Sequence, residues 1–295
     1  MGMKVAICAI CKQENLYLRD WVEYYFKMGV ENIILYDNNN IDGEYPQNVI
    51  GDYINSGFVI YKNARGKYRY QIEAYTECYR EYKTEYDWIG FLDIDEYWYL
   101  SPQMTFDEFF SDERLPNALY MFINWLNYGD NDKLHYENKP VQERFPTPTF
   151  PLNVVSNNSV LNSTSKIFIK CRPNEVDVLF YDVNAIDYYY YTDTDFTAYF
   201  ANGETYDKHS LDMDFSVSYI KHYRTLTIEE FLYRRFGRGS YAGVSSNYNK
   251  ETIMSFFWDQ NKWTEEKQRI VDNFFENFEV IDDGPINVKR IFDEK

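Results

Sequence analysis

Along the first hundred positions, short unbroken apolar runs alternate with stripes at helical spacing, the pattern of doubly buried strands separated by amphipathic helices. Lys4 to Ile10 is such a run and is the predicted first strand. From Asn15 to Met28 the apolar residues Leu18, Trp21, Val22, Tyr25 and Phe26 form one helical stripe, which Gly29 is placed to stop. Asn32 to Tyr36 predicts a second strand ending in Asp37-Asn-Asn-Asn40, and Phe58 to Tyr61 a third. A helix over about 70–83 then leads into Trp88-Ile-Gly-Phe-Leu-Asp-Ile-Asp-Glu-Tyr-Trp98, an apolar strand that ends in Asp93, Asp95 and Glu96. Strands and helices in strict alternation predict a doubly wound α/β sheet.

The pattern loosens after residue 100. Thr105-Phe-Asp-Glu108 and Thr227-Ile-Glu-Glu230 read as capping boxes that open helices. Ala118 to Trp125, Lys166 to Lys170 and Ser216 to Tyr223 are strand-like. Four prolines between Pro140 and Pro151, then an Asn- and Ser-rich stretch to Ser165, predict a long loop. Residues 181–215, rich in Tyr and Asp, have no clear period, and a last amphipathic helix is expected over about 264–278.

Composition narrows the partners. With 295 residues, 45% of them hydrophobic and 20% aromatic, the chain can fill a sizeable core. A formal net charge of −17 argues against a nucleic-acid partner, whose phosphates call for basic patches. A small anionic ligand would instead need a local basic cluster or a bound cation. No apolar run reaches membrane-span length and no leader-like segment opens the chain, so a cytoplasmic protein is expected. That expectation is compatible with peripheral membrane contact.

Cys8 and Cys11 spell C-x-x-C, but Cys8 lies in an apolar strand and is better read as core than as a redox centre. Asp-x-Asp occurs four times, and only Asp93/Asp95 follows a strongly apolar strand that would hold it at a sheet edge. Ligands in open α/β sheets bind outside the carboxyl ends of strands. Hard cations such as Mg²⁺ or Mn²⁺ take carboxylate oxygens there, with substrate phosphates completing the shell. His222 is followed by Arg224, Arg234, Arg235 and Arg238, guanidinium groups suited to phosphate. The other basic run, Lys62 to Arg69, precedes a helix whose N-terminal amides could also meet an anion.

The order of these motifs resembles glycosyltransferases of the GT-A fold, closest to the family 2 and family 92 group. The resemblance is carried by Ala9 to Tyr24, Gly29-Val with Ile34 to Asn39, Asp87 to Tyr97, and His222-Tyr-Arg-Thr with Glu230-Phe and Arg238-Gly. It implies a GT-A-type, mostly parallel central sheet with helices on both faces and a C-terminal helical segment. In that organisation residues 1–125 would bind a nucleotide sugar, 126–240 would form the acceptor side, and 241–295 would be a helical extension on the same domain. Ala9, Cys11, Glu14, Asp37, Arg65, Gln71, Asp93, Arg224 and Arg238 would line the donor, and Asp93, Asp95 and His222 would hold Mn²⁺ or Mg²⁺. Asp130 is the candidate base toward a saccharide or glycolipid acceptor. Asp182-Val-Asn-Ala185 stands where members of the group often carry a further His, and the Gln-x-x-Arg-Trp motif of processive synthases is missing, which favours transfer of a single sugar. Two other functions fit parts of the pattern. A nucleotidyltransferase would need a Gly-rich loop where this chain has Cys11-Lys-Gln-Glu14, and a non-catalytic carbohydrate binder would use the 30 tyrosines.

Overall fold

The structure is a computed structural model that describes residues 2–110, 120–149, 165–172, 198–200, 215, 217–237 and 250–277. All seven residues of β1 (Val5–Cys11) are buried, as the unbroken apolar run requires. Helix α1 (Asn15–Met28) follows and buries Leu18, Trp21, Val22 and Tyr25. Gly29 ends it at φ 89°, where its N–H reaches the carbonyls of Tyr25 and Phe26, a left-handed cap that glycine adopts without steric cost. β2 (Asn32–Asp37), α2 (Gln47–Asn55), β3 (Val59–Asn63), α3 (Gln71–Tyr82) and β4 (Trp88–Phe91) complete the N-terminal half.

β1, β2, β3 and β4 pair in parallel in the spatial order β3-β2-β1-β4. The chain reverses direction across the sheet between β3 and β4, so the right-handed rule for parallel crossovers assigns α1 and α2 to one face and α3 to the other. The fold is therefore doubly wound, with its switch point between β1 and β4. Beyond β4 the sheet continues with antiparallel neighbours. β7 (Ser165–Lys170) pairs with β4 and with β6 (Tyr120–Asn127), while β9 (Ser218–His222) pairs with β5 (Glu96–Leu100). β8 (Ala198–Phe200) adds a parallel partner to β6, giving nine strands among the described residues. Gly90 faces Phe168 across the β4–β7 pairing, and a Cβ on Gly90 would sit 2.3 Å from that ring.

The chain divides into two compact units, Met1–Leu126 with Leu152–His222, and Asn127–Pro151 with Tyr223–Lys295. In this grouping the segment after β6 associates with the C-terminal helices. In the second unit, α5 (Val141–Arg144) supplies Arg144, which donates to both carboxylate oxygens of Glu230 at 2.9 and 2.8 Å. Glu230 lies in α6 (Ile228–Leu232), whose capping box at Thr227 forms as the sequence predicts. The chain then widens into a π-helical turn, Tyr233–Gly237. Ile228, Phe231, Met254, Phe257, Val271 and Phe274 join α6, α7 (Lys250–Trp258) and α8 (Glu265–Asn277) into one core.

The other capping box, at Thr105, also forms and opens α4 (Phe106–Phe110), with Glu108 accepting from the Thr105 N–H at 2.8 Å. α2, α5, α7 and β5 were not evident in the sequence pattern. The loop expected over the Asn- and Ser-rich stretch and most of residues 181–215 lie outside the described residues. Among those described, no helix is long and apolar enough to cross a membrane.

Candidate active site

Parallel pairing brings the carboxyl ends of β1, β2 and β4 to one edge of the sheet, and with them Cys11 to Glu14, Asp37 and the Leu92-Asp-Ile-Asp95 turn. The turn is closed by its own acids: Glu96 N–H donates to the Asp93 carbonyl at 3.1 Å, and Asp93 N–H donates to Glu96 Oε2 at 2.9 Å. Helix α1 fixes the start of β5 from behind. Trp21 Nε1 and Tyr25 Oη both donate to the Glu96 carbonyl, at 2.8 and 3.0 Å, and Tyr25 accepts from Trp98 N–H at 2.8 Å.

β5 runs antiparallel to β9 with Glu96 opposite His222, so residues far apart in sequence become neighbours. Asp95, Glu96 and His222 each offer a ligand atom, and the three atoms lie within 4.8 Å of one another. His222 Nε2 is 3.9 Å from Asp95 Oδ1, and its buried ring lies 4.2 Å from that of Trp125 on β6. Glu96 is fully buried, and among the described residues its Oε1 has no hydrogen-bond partner. An orphaned buried carboxylate oxygen is costly, and a bound cation would satisfy it. Burial holds the Glu96 carboxyl well above the usual carboxylate range; Lys166 opposes this, while Asp93 and Asp95 add to it. An oxygen-and-imidazole donor set of this kind could hold a divalent cation.

Asp93 has other partners. Its Oδ2 accepts from Lys166 Nζ at 2.7 Å, and its Oδ1 accepts from Gln71 Nε2 at 3.1 Å and Tyr75 Oη at 3.4 Å. Of the expected trio Asp93, Asp95 and His222, the structure brings Asp95 and His222 together with Glu96, while Asp93 lies on Lys166. Glu96 was legible only as one more acid of the turn. Lys166 carried a faint signal, a charge on the same strand face as the buried Phe168, since successive side chains alternate.

The donor-lining candidates divide similarly. Ala9 and Cys11 are buried within β1, and Glu14 is buried at the start of α1. Asp37 is fully buried and its oxygens are taken: Oδ1 accepts from Asn39 N–H and Nδ2 at 3.0 and 2.7 Å, Oδ2 from Tyr61 Oη and Arg65 Nη1 at 2.8 and 2.9 Å. Arg65 also donates to the carbonyls of Asn40, Ile41, Gly43 and Glu44 and stacks on Tyr45 at 4.1 Å. The pair therefore ties down the loop after β2, which leaves Arg65 few free donors for an anion.

In the second unit, Arg224 stacks on Phe256 at 4.6 Å. Asp130 is buried and paired with Lys267 at 2.5 Å, and its N–H donates to Asn261 at 2.6 Å. Burial raises its carboxyl from the ordinary value and Lys267 opposes the shift. That ion pair competes with any proton-accepting role. Arg238 lies outside the described residues. The C-x-x-C cysteines are buried thiols, pushed up in pKa chiefly by burial, which suits core packing rather than redox chemistry.

The model of glycosyltransferase family 92 matches residues 3–227, three quarters of the chain and all of the elements that build this edge. The chain belongs to glycosyltransferase family 92. Among its relatives, a family 92 protein of Ricinus communis is 29% identical over 97 residues, covering 33% of this chain and 17% of that protein. One from Arabidopsis thaliana is 28% identical over 127 residues, covering 43% of this chain and 22% of its own length. The chain thus matches only about a fifth of the length of these family 92 proteins. Among solved structures, S. aureus TarS 1-349 in complex with UDP matches with a TM-score of 0.34 and 12% identity, covering 46% of this chain and 38% of that one. The same fragment with UDP-GlcNAc gives 0.28 and 13% over 46% and 37%.

Proposed function

We propose that this family 92 chain is a divalent-cation-dependent glycosyltransferase that moves one sugar from a nucleotide-sugar donor to a saccharide or lipid-linked saccharide acceptor. The observation that carries the reading is the Asp95–Glu96–His222 cluster at the switch point, with a fully buried Glu96 oxygen that has no hydrogen-bond partner among the described residues. When bound, Mn²⁺ or Mg²⁺ would supply Lewis-acid stabilisation of the charge that grows on the departing nucleoside diphosphate. Asp95, Glu96 and His222 would hold that ion, and the α1 aromatics fix the Glu96 backbone, which orients its carboxylate in advance. Gln71 and Tyr75 hold Asp93 in place beside them.

The test is a panel of nucleotide sugars incubated with the protein, Mn²⁺ and candidate saccharide or glycolipid acceptors. Nucleoside diphosphate should be released from one donor class, with loss of release in a chelator and in Asp95→Asn. Pyrophosphate release would point to a nucleotidyltransferase. No release from any donor, together with no Mn²⁺ binding, would overturn the proposal.

A further inference from the structure

Lys166 is fully buried on β7. A buried ammonium costs several kcal/mol unless it is paired, so its partners indicate what it is for. They are two carboxylates of the acid turn, Asp93 Oδ2 at 2.7 Å and Glu96 Oε2 at 3.3 Å. Its charge also lies 5.8 Å from the centre of the Trp125 ring, the same ring that backs His222. With Gln71 and Tyr75 on its other oxygen, Asp93 is engaged by protein donors on both sides. Glu96 is shared: Oε2 faces Lys166 and the Asp93 amide, while Oε1 has no hydrogen-bond partner among the described residues.

We infer that Lys166 is a positioning residue, a built-in cation that withholds Asp93 from the metal shell and confines a single divalent ion to Asp95, Glu96 and His222. The inference rests on the metal reading proposed above. Three formal carboxylate charges against one ammonium leave two, the charge of one divalent ion. Deleting the ammonium would free Asp93 and deepen the negative field. Deleting the Asp93 charge would leave Lys166 competing with the ion for Glu96.

The experiment is a Mn²⁺ titration of nucleotide-free protein, read by the loss of the free-ion paramagnetic resonance signal. Circular dichroism checks the fold of each variant. Wild type should bind one ion and Asp95→Asn should lose it. Lys166→Met should bind Mn²⁺ about tenfold or more tightly, and Asp93→Asn about tenfold or more weakly, the size a full charge has at this range. The charge-conserving double variant Asp93→Asn with Lys166→Met should return to within about threefold of wild type. Opposite signs with recovery in the double variant are not what loss of packing produces. If Lys166→Met does not fold, Asp93→Asn and the double variant still decide, through weakening and its rescue. No Mn²⁺ binding by wild type overturns the metal reading. Binding by wild type that Asp95→Asn abolishes, but that the Lys166 and Asp93 variants leave unchanged or shift alike, overturns the role of Lys166 alone.

Discussion

Asp37 and Asp95 both stand just past an apolar strand, yet their surroundings give them opposite tasks. Asp37 is saturated by Asn39, Tyr61 and Arg65, so its carboxylate is part of the loop's framework. Asp37→Ala should destabilise the protein by roughly 3 kcal/mol in urea unfolding, because it removes the carboxylate that pairs with a largely buried guanidinium and accepts from the Tyr61 phenol. Asp95 belongs to the proposed ligand cluster, and at metal sites even supporting residues cost 10–100-fold in metal affinity on substitution. Asp95→Asn should therefore weaken Mn²⁺ binding by at least about tenfold, by calorimetry, while leaving the unfolding midpoint without Mn²⁺ near that of wild type. The two aspartates look alike in sequence, each an acid after an apolar run. What separates them, Arg65 in one case and His222 in the other, comes from residues 28 and 127 positions away.

At the scale of elements, the sheet tolerates no side chain at Gly90. Gly90→Ala would drive a methyl into the buried Phe168 ring, which is itself 4.6 Å from Trp98, and should cost about 2 kcal/mol or more, visible as a lowered thermal midpoint. The parallel strands and α1 were legible because each obeys a single period: β1 is buried throughout, and α1 carries one clean stripe and a glycine stop. β5 was hidden because its first residue, Glu96, reads as the end of the acid turn, and its pairing with β9 bridges 118 to 126 positions. Lys166 was only faintly legible. A lysine in a strand reads as a solvent-facing position, and only the pairing of β7 with β4 and β6 carries it inward.

At the scale of the whole molecule, the order of strands and helices was readable from periodicity, whereas the composition of the site depended on which distant strands met. Three of the four thiols test the integrity of that assembly. Cys8, Cys11 and Cys78 are buried, and burial raises the pKa of Cys8 and Cys11 well above that of an ordinary thiol. Cys171 is partly exposed and pushed up to about 12, again mainly by burial. In native protein at neutral pH, a disulfide reagent should therefore modify Cys171 slowly and the other three only at the rate of unfolding, with all four reacting promptly in denaturant. Prompt native labelling of Cys8 or Cys11 would contradict the packing of β1. The central claim is that one divalent ion binds at the switch point through Asp95, Glu96 and His222. Anomalous diffraction from a crystal of the protein grown with Mn²⁺ and a nucleoside diphosphate tests it most directly. The expected result is a single strong peak within bonding distance of all three side chains, with Asp93 still on Lys166; a peak held by Asp93 without His222, or no peak at this edge, would contradict it.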